Sequence, residues 1–270
     1  MEGPAFKMEI PGKSKMGVAM DSDVPDLELA SSSKEIARLQ IDAITACANQ
    51  VGRKLSIVEA GCGQKWLIDL SGLDYTLTGI DLDEKALELR MTKARDLDAG
   101  ICGDICELDL PAGSFDVVYS FYVLEHVERA DIALENLIKW LAPGGLLLLR
   151  LPDPRSVRGF LTSLLPHQTH VWYHRYVHRL PLAGQPGHAP YRVYYHPVIN
   201  RERLCKFLSS HGMKCLGCYG DGFRRESPNK HISKIVKGFM QAVQLLSFGR
   251  LTAAYADVLY IAVKGGSDEI

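Results

Sequence analysis

Leu55-Ser56-Ile57-Val58-Glu59-Ala60-Gly61-Cys62-Gly63 is the stretch of sequence on which the fold turns. Its first six residues read as a short buried strand with an acid near the end, and the chain then bends through two glycines. Glycine permits positive φ angles and a close backbone approach that side chains forbid. A helix expected over about Lys65 to Leu70 would add the unpaired N–H groups of its first turn. A turn of this kind suits a nucleotide-like cofactor.

Working outward, Ser31-Ser32-Ser33-Lys34-Glu35 has the serines and early acid of a helix start, followed by Ile36, Leu39, Ile41 and Ile44 at helical spacing. Downstream, strands are expected at Leu77–Leu82, Gly100–Asp104, Phe115–Ser120 and Leu146–Leu151. Helices are expected between them at Glu84–Arg95 and about Asp131–Leu141, the latter stopped by Pro143-Gly144-Gly145. Strands apolar through their length and alternating with helices predict an α/β fold. The expectation is a Rossmann-like open, mostly parallel seven-stranded sheet with helices on both faces and a lid insertion after the fifth strand.

Beyond Pro152 the alternation lapses. Residues 153–199 are rich in Arg, His, Tyr and Pro, with a loop at Leu182-Ala183-Gly184-Gln185-Pro186-Gly187. Regularity returns with a helix near Asn200–His211, a strand near Met213–Tyr219, a basic amphipathic helix near Lys230–Leu246 and a last strand at Asp257–Val263. The division expected is a flexible tail over 1–30, a cofactor-binding core over 31–152, an acceptor-binding insertion over 153–199, and the rest of the core over 200–270.

Bulk properties narrow the class. The chain has 270 residues, 47% apolar and 23% charged, which suits a soluble domain with a sizeable core and excludes fibrous and disordered classes. Seven cysteines at irregular spacing do not form a secreted disulfide framework, and the first residues lack a signal-peptide apolar region. A cytoplasmic location is expected. The net charge of −1 conceals a polarity, since residues 1–149 sum to −11 and residues 150–250 to +12. A basic second half suits an anionic acceptor, a membrane surface or nucleic acid, or simply complements the acidic half within one fold.

Three groups recur at the carboxyl ends of successive strands, where open α/β sheets bind ligands. They are Glu59-Ala60-Gly61-Cys62-Gly63, Gly79-Ile80-Asp81 and Gly103-Asp104-Ile105. Asp81 is placed to accept hydrogen bonds from a ribose diol, and Asp104 from an exocyclic adenine amine. The dinucleotide fingerprint requires a third small residue where Trp66 stands, and no P-loop is present. What remains is a nucleoside without a pyrophosphate.

With Phe115-Asp116-Val117-Val118-Tyr119-Ser120, Val123-Leu124-Glu125-His126-Val127 and Leu141-Ala142-Pro143-Gly144-Gly145-Leu146 in order behind these, residues 55–151 resemble the class I S-adenosylmethionine-dependent methyltransferases. The likeness is greatest to the small-molecule and quinone-biosynthesis group. It implies S-adenosylmethionine as cofactor, with Glu59, Gly61, Cys62 and Gly63 along its methionine moiety, Asp81 on the ribose and Leu82 on the adenine. Asp104 and the Ile105 amide would meet the adenine edge, and Ser120 and Phe121 would border the methionine end. A third glycine common in the family is replaced by Lys65.

Methyl transfer is an in-line displacement that needs alignment and water exclusion more than acid–base help. His126 is the candidate base, the alternative being a histidine bonded to backbone at a helix start. Some relatives take metal ligands from E-x-x-E-H here, but Tyr122 replaces the first acid, and no metal is expected. In the insertion, His167, His170, His174 and His178 are spaced for one helix face, and Trp172, Tyr173, Tyr176, Tyr191, Tyr194 and Tyr195 could wall an acceptor pocket. The helix with Lys230, Lys234 and Lys237 opposite Ile232, Ile235, Val236, Phe239, Met240 and Val243 has interfacial form, compatible with a peripheral membrane contact. The reading is a methyltransferase acting, most simply at oxygen, on a small or lipid-like anionic acceptor, with no nucleic acid partner. RNA or protein methylation, or a non-methylating protein that keeps the fold, are the alternatives.

Overall fold

The computed structural model describes residues 24–176, 179–185, 190–222 and 230–266, with 230–237 described by their backbone. In chain order the elements are β1 (Leu27–Leu29), α1 (Ser33–Val51), β2 (Leu55–Ala60), β3 (Tyr75–Asp81), α2 (Glu84–Leu89), β4 (Ala99–Cys102) and β5 (Phe115–Phe121). Then follow α3 (Ala130–Trp140), β6 (Leu141–Pro152), α4 (Val157–Leu164), α5 (His167–Tyr176), α6 (Arg201–Ser210), β7 (Met213–Asp221), α7 (Lys230–Leu246) and β8 (Asp257–Lys264).

All strands join one sheet in the order β1-β7-β8-β6-β5-β2-β3-β4, parallel except where β8 runs against β6 and β7. Every residue of β5 is buried, as a central strand covered on both faces must be. Ile36, Ala43, Ile44 and Cys47 of α1 pack on one face. Leu134, Leu137 and Ile138 of α3 and Leu204 and Leu208 of α6 pack on the other. From β2 the chain winds outward to β3 and β4, then returns to place β5 on the opposite side. The strand order therefore reverses between β2 and β5, and a crevice opens at their carboxyl ends.

Local chemistry fixes these elements. The Ser32 hydroxyl accepts from the Glu35 N–H at 3.1 Å and caps α1, which ends on Gly52 at φ 64°. Asp116 of β5 takes Arg53 in a two-point pair at 2.8 and 2.9 Å and also accepts from the Ser56 N–H at 2.9 Å, fastening β2 to β5.

Three expectations are corrected. The sheet has eight strands rather than seven, because Leu27–Leu29, read as tail, pairs in parallel with β7. No helix follows the glycine turn. Residues 65–70 run irregularly, with Ile68 and Leu70 buried while Lys65, Leu67 and Asp69 are exposed, an alternation that suits an extended segment lying on the core. The helix expected over Glu84–Arg95 changes pitch, α2 passing into a π-helical turn at Arg90–Ala94. Residues 1–23, His178, Pro186 and Gly187, and the side chains of Lys230, Ile232, Lys234, Ile235, Val236 and Lys237 lie outside the described residues.

Candidate functional site

At the carboxyl ends of β2 and β5 lies a cavity of about 450 Å³, lined by Glu59, the Gly61–Gly63 turn, Lys65, Leu67, Leu89 and Phe121. The turn is held from β3: the N–H groups of Gly61 and Cys62 both donate to the Ile80 carbonyl, at 2.8 and 3.0 Å. Gly61 has φ 75°, and a Cβ there would stand 2.2 Å from Val123 Cγ2. Only glycine lets the turn approach the loop after β5 so closely. Asp81, ending β3, accepts the Gly63 N–H at 2.7 Å through Oδ2 and the Asp83 N–H at 2.9 Å through Oδ1. An ionised carboxylate offers about four acceptor positions. Asp81 can brace the turn and still receive a diol.

The organiser of the cavity floor is a residue the sequence reading missed. Arg90 is fully buried, and its Nη1 donates to Glu59 Oε2 at 2.7 Å and to the Cys62 carbonyl at 2.8 Å. Its Nε donates to Asp96 Oδ1 at 2.8 Å, and Asp96 Oδ2 accepts the Trp66 N–H at 3.3 Å. One guanidinium thus ties together the acid of β2, the turn and the extended segment beyond it. Burial pushes the Glu59 carboxyl up, to about 8, with Arg90 pulling the other way. Cys62 is buried and its thiol is pushed up to about 12, chiefly by desolvation, which suits the small filler expected.

Of the ten residues expected at the cofactor, Glu59, Gly61, Cys62, Gly63 and Phe121 line this cavity. Asp81 braces it, while Leu82, 73% exposed, and half-buried Asp104 follow β3 and β4 at the same end of the sheet. Asp104 Oδ1 accepts the Cys106 N–H at 2.8 Å. The Ile105 side chain is buried in the core, and its carbonyl accepts from Asn136 Nδ2 at 2.9 Å. Ser120 is also buried, and its Oγ has no partner among the described residues. Phe121 stacks on Tyr119 at 3.9 Å, and Trp66 leans on Tyr119 at 5.1 Å, giving the turn an aromatic backing.

His126 lies outside that lining, in the loop after β5. Its Nδ1 donates to the Arg192 carbonyl at 2.7 Å, and its ring meets Tyr191 edge-on at 5.8 Å. A carbonyl can only accept, so Nδ1 carries the hydrogen and Nε2, 3.9 Å from Glu125 Oε1, is the unprotonated nitrogen of the neutral ring. Burial lowers its pKa and favours that neutral form. The Tyr194 N–H donates to the Glu125 carbonyl at 2.8 Å, so residues 192–194 of the insertion are strapped to this loop twice.

Glu125 is 3% exposed, its Oε2 has no partner among the described residues, and burial pushes its carboxyl to about 8. Tyr122, at φ 58°, donates its hydroxyl to Asp257 Oδ2 at 3.0 Å and lies under the Arg150 guanidinium, 5.3 Å from the ring centre. Arg150 pairs with Asp221. The histidines at 167, 170 and 174 lie along α5, half-buried, with His170 Nε2 3.2 Å from the Thr162 carbonyl.

A family profile described as a methyltransferase domain matches residues 58–149. A ubiquinone biosynthesis O-methyltransferase of Caulobacter sp. (strain K31) is 31% identical over 166 residues, covering 54% of this chain and 66% of that protein. The same-named enzyme of Ralstonia nicotianae is 30% identical, covering 56% of this chain and 67% of its own length. The chain thus spans about two thirds of the length of these relatives. Among solved structures, magnesium protoporphyrin IX methyltransferase from Synechocystis PCC 6803 with bound SAH superposes with a TM-score of 0.50 at 18% identity, covering 89% of this chain and 90% of that one. At that identity the likeness speaks for the fold alone. The chain belongs to the class I S-adenosylmethionine-dependent methyltransferases.

Proposed function

We propose that this protein methylates an oxygen of a small, lipid-like acceptor bound between the loop after β5 and residues 190–196. The observation that carries the reading is the Arg192 carbonyl on His126 Nδ1, which fixes the tautomer whose Nε2 can take a proton. Relatives named as ubiquinone biosynthesis O-methyltransferases support oxygen as the methylated atom and a lipid-like acceptor.

The residues present fit S-adenosylmethionine. Gly61 lies against Val123 with no room for a Cβ, which brings the turn hard against the loop after β5, and the buried Ser120 hydroxyl, adjacent in sequence to the cavity-lining Phe121, has no partner among the described residues. Glu59 and the Gly61–Gly63 turn would hold the methionine moiety, Asp81 the ribose hydroxyls, Leu82 a face of the adenine, and Asp104 with the Ile105 amide its edge. Ser120 and Phe121 would border the methionine end. When bound, the cofactor supplies an electrophilic methyl on a sulfonium. The chain's own part is to align the acceptor, exclude water beneath residues 190–196, and accept the hydroxyl proton on His126 Nε2 as oxygen becomes nucleophilic. Exposed Trp172 and Tyr176 of α5, with Leu245 and Leu246 of α7 and Phe248 beyond it, give an apolar exterior that supports a lipid-like acceptor and contact with a membrane surface.

The test is turnover with a hydroxylated aromatic probe and methyl-labelled S-adenosylmethionine, followed from pH 5.5 to 9. His126→Ala should lower kcat by roughly 10²–10⁴ and abolish the acidic limb of the profile, with cofactor affinity by calorimetry unchanged. An unaltered profile in the variant removes His126 from proton transfer. Failure of the unmodified protein to bind the cofactor would remove the whole reading.

A further inference from the structure

Three cysteines converge far from this site. Cys205 of α6 and Cys215 and Cys218 of β7 place their sulfurs 3.8, 3.9 and 4.0 Å apart, a nearly equilateral triangle. Among the described residues this is the one group of three or more His, Cys or carboxylate ligand atoms gathered within 4.8 Å of one another. All three are free thiols, two of them buried and Cys215 half-buried.

The backbone is deformed to achieve this. In a regular strand, residues three apart point to opposite faces, so Cys215 and Cys218 would be separated by the sheet. Between Cys215 and Gly217 the pairing with β8 slips by one: Cys215 stands opposite Ala262, and Cys218 opposite Tyr260. Ala262 and Tyr260 are two apart and share a face, so the bulge turns both cysteines toward α6. Bulges of this kind re-aim side chains and carry a cost in ladder hydrogen bonds. Cys205 meets them from the buried side of α6.

The triangle has the dimensions of metal–thiolate coordination. For a metal–sulfur bond of about 2.3 Å, neighbouring sulfurs stand about 3.8 Å apart in a tetrahedron and about 4.0 Å apart in a trigonal plane. A disulfide needs sulfurs about 2.05 Å apart. Arg201, one turn before Cys205 on α6, lowers the cost of thiolate charge there, and half-buried Cys215 gives an ion an entry path.

We propose that Cys205, Cys215 and Cys218 bind one thiophilic d¹⁰ metal ion. Zinc would be held by three thiolates and one ligand from solution, and copper(I) by the three thiolates alone. On binding, each thiol gives its proton to solvent as its sulfur bonds to the metal. The ion clips α6 to β7 and so secures the β1–β7 edge of the sheet. β7 stands four strand positions from β2, roughly 19 Å at about 4.8 Å per step, so the clip is structural rather than part of methyl transfer.

The test uses the full chain, reduced and metal-free. Cobalt(II) should produce a near-ultraviolet thiolate charge-transfer band saturating at one equivalent, displaced by one equivalent of zinc(II), with release of up to three protons and a raised Tm. Copper(I), titrated against a chromogenic chelator, separates the two ions: retention of one equivalent against the chelator with no cobalt band assigns the site to copper. Cys215→Ser, at the half-buried position, should lose the band while keeping the far-ultraviolet dichroism of the parent, and Cys102→Ala should keep the band. Calorimetry with S-adenosylmethionine should be the same with and without metal. Absence of binding of either ion by protein whose thiols are shown to be reduced overturns the proposal. So does a band that survives in the triple variant Cys205→Ala/Cys215→Ala/Cys218→Ala.

Discussion

Replacing Glu125 by Gln should change how stability depends on pH. The carboxyl is buried, Oε2 is unpartnered among the described residues, and the nearby Asp257 repels its charge. Desolvation therefore raises its pKa from an ordinary 4.5 to about 8 in the folded protein, its own backbone N–H resisting slightly. A group whose folded pKa lies above its unfolded pKa contributes stability that is complete below the unfolded value and is lost as pH rises through the folded one. Here the loss runs from about pH 4.5 to about pH 8.

Between pH 5.5 and 8.5 the linkage relation gives about 3 kcal/mol lost by the parent that Glu125→Gln does not lose. Any fixed cost of burying the Gln amide cancels in that difference. At about 2–4 °C per kcal/mol, the two Tm-against-pH curves should converge or cross by roughly 6–12 °C over the window. Thermal unfolding followed by circular dichroism at six pH values measures it. Parallel curves would show that Glu125 is solvated or paired and would refute the argument.

Arg90→Met would leave Glu59 and Asp96 without their cation and should cost about 3–5 kcal/mol by denaturant unfolding. Adding Glu59→Gln should recover part of that loss, a non-additivity that independent surface charges would not show. Gly61→Ala should cost about 3 kcal/mol, from its positive φ and the collision with Val123, and weaken S-adenosylmethionine binding at least about tenfold in calorimetry. Asp81→Ala loses both the brace on the Gly63 N–H and the expected ribose acceptor, so its affinity loss should exceed that of Asp104→Ala, whose carboxylate bonds to Cys106 in its own turn and does not reach the glycine turn.

The central sheet was legible because buried parallel strands write mainly apolar runs, as β2, β5 and β6 do, while β3 shows only Leu77, Ile80 and its closing acid. β1 was not, because a three-residue edge strand with two exposed positions carries too little pattern to separate from a tail. The segment after the turn was misjudged as a helix, although Trp66, Ile68 and Leu70 alternate with Lys65, Leu67 and Asp69. Leu67 is apolar yet exposed, and that blurred the period. In the site, glycines and strand-end acids announce themselves by position. Arg90 does not, since nothing in a helix-like run marks which arginine turns inward. The thiol triangle was hidden for a different reason: Cys215 and Cys218 reach one face only through a bulge, and sequence spacing does not record the slip.

The bond from His126 to the Arg192 carbonyl has a temporal consequence. It cannot survive if residues 190–196 swing aside to admit an acceptor, and the Tyr194 bond to Glu125 would go with it. Released, the imidazole is free to exchange its hydrogen between the two nitrogens, and Nε2 is no longer reserved as the acceptor. Each return of the segment would select the reactive tautomer again. With His126 as the proposed base, proton abstraction would be confined to the interval in which water is shut out, and the base would be armed by the same event that commits the substrate.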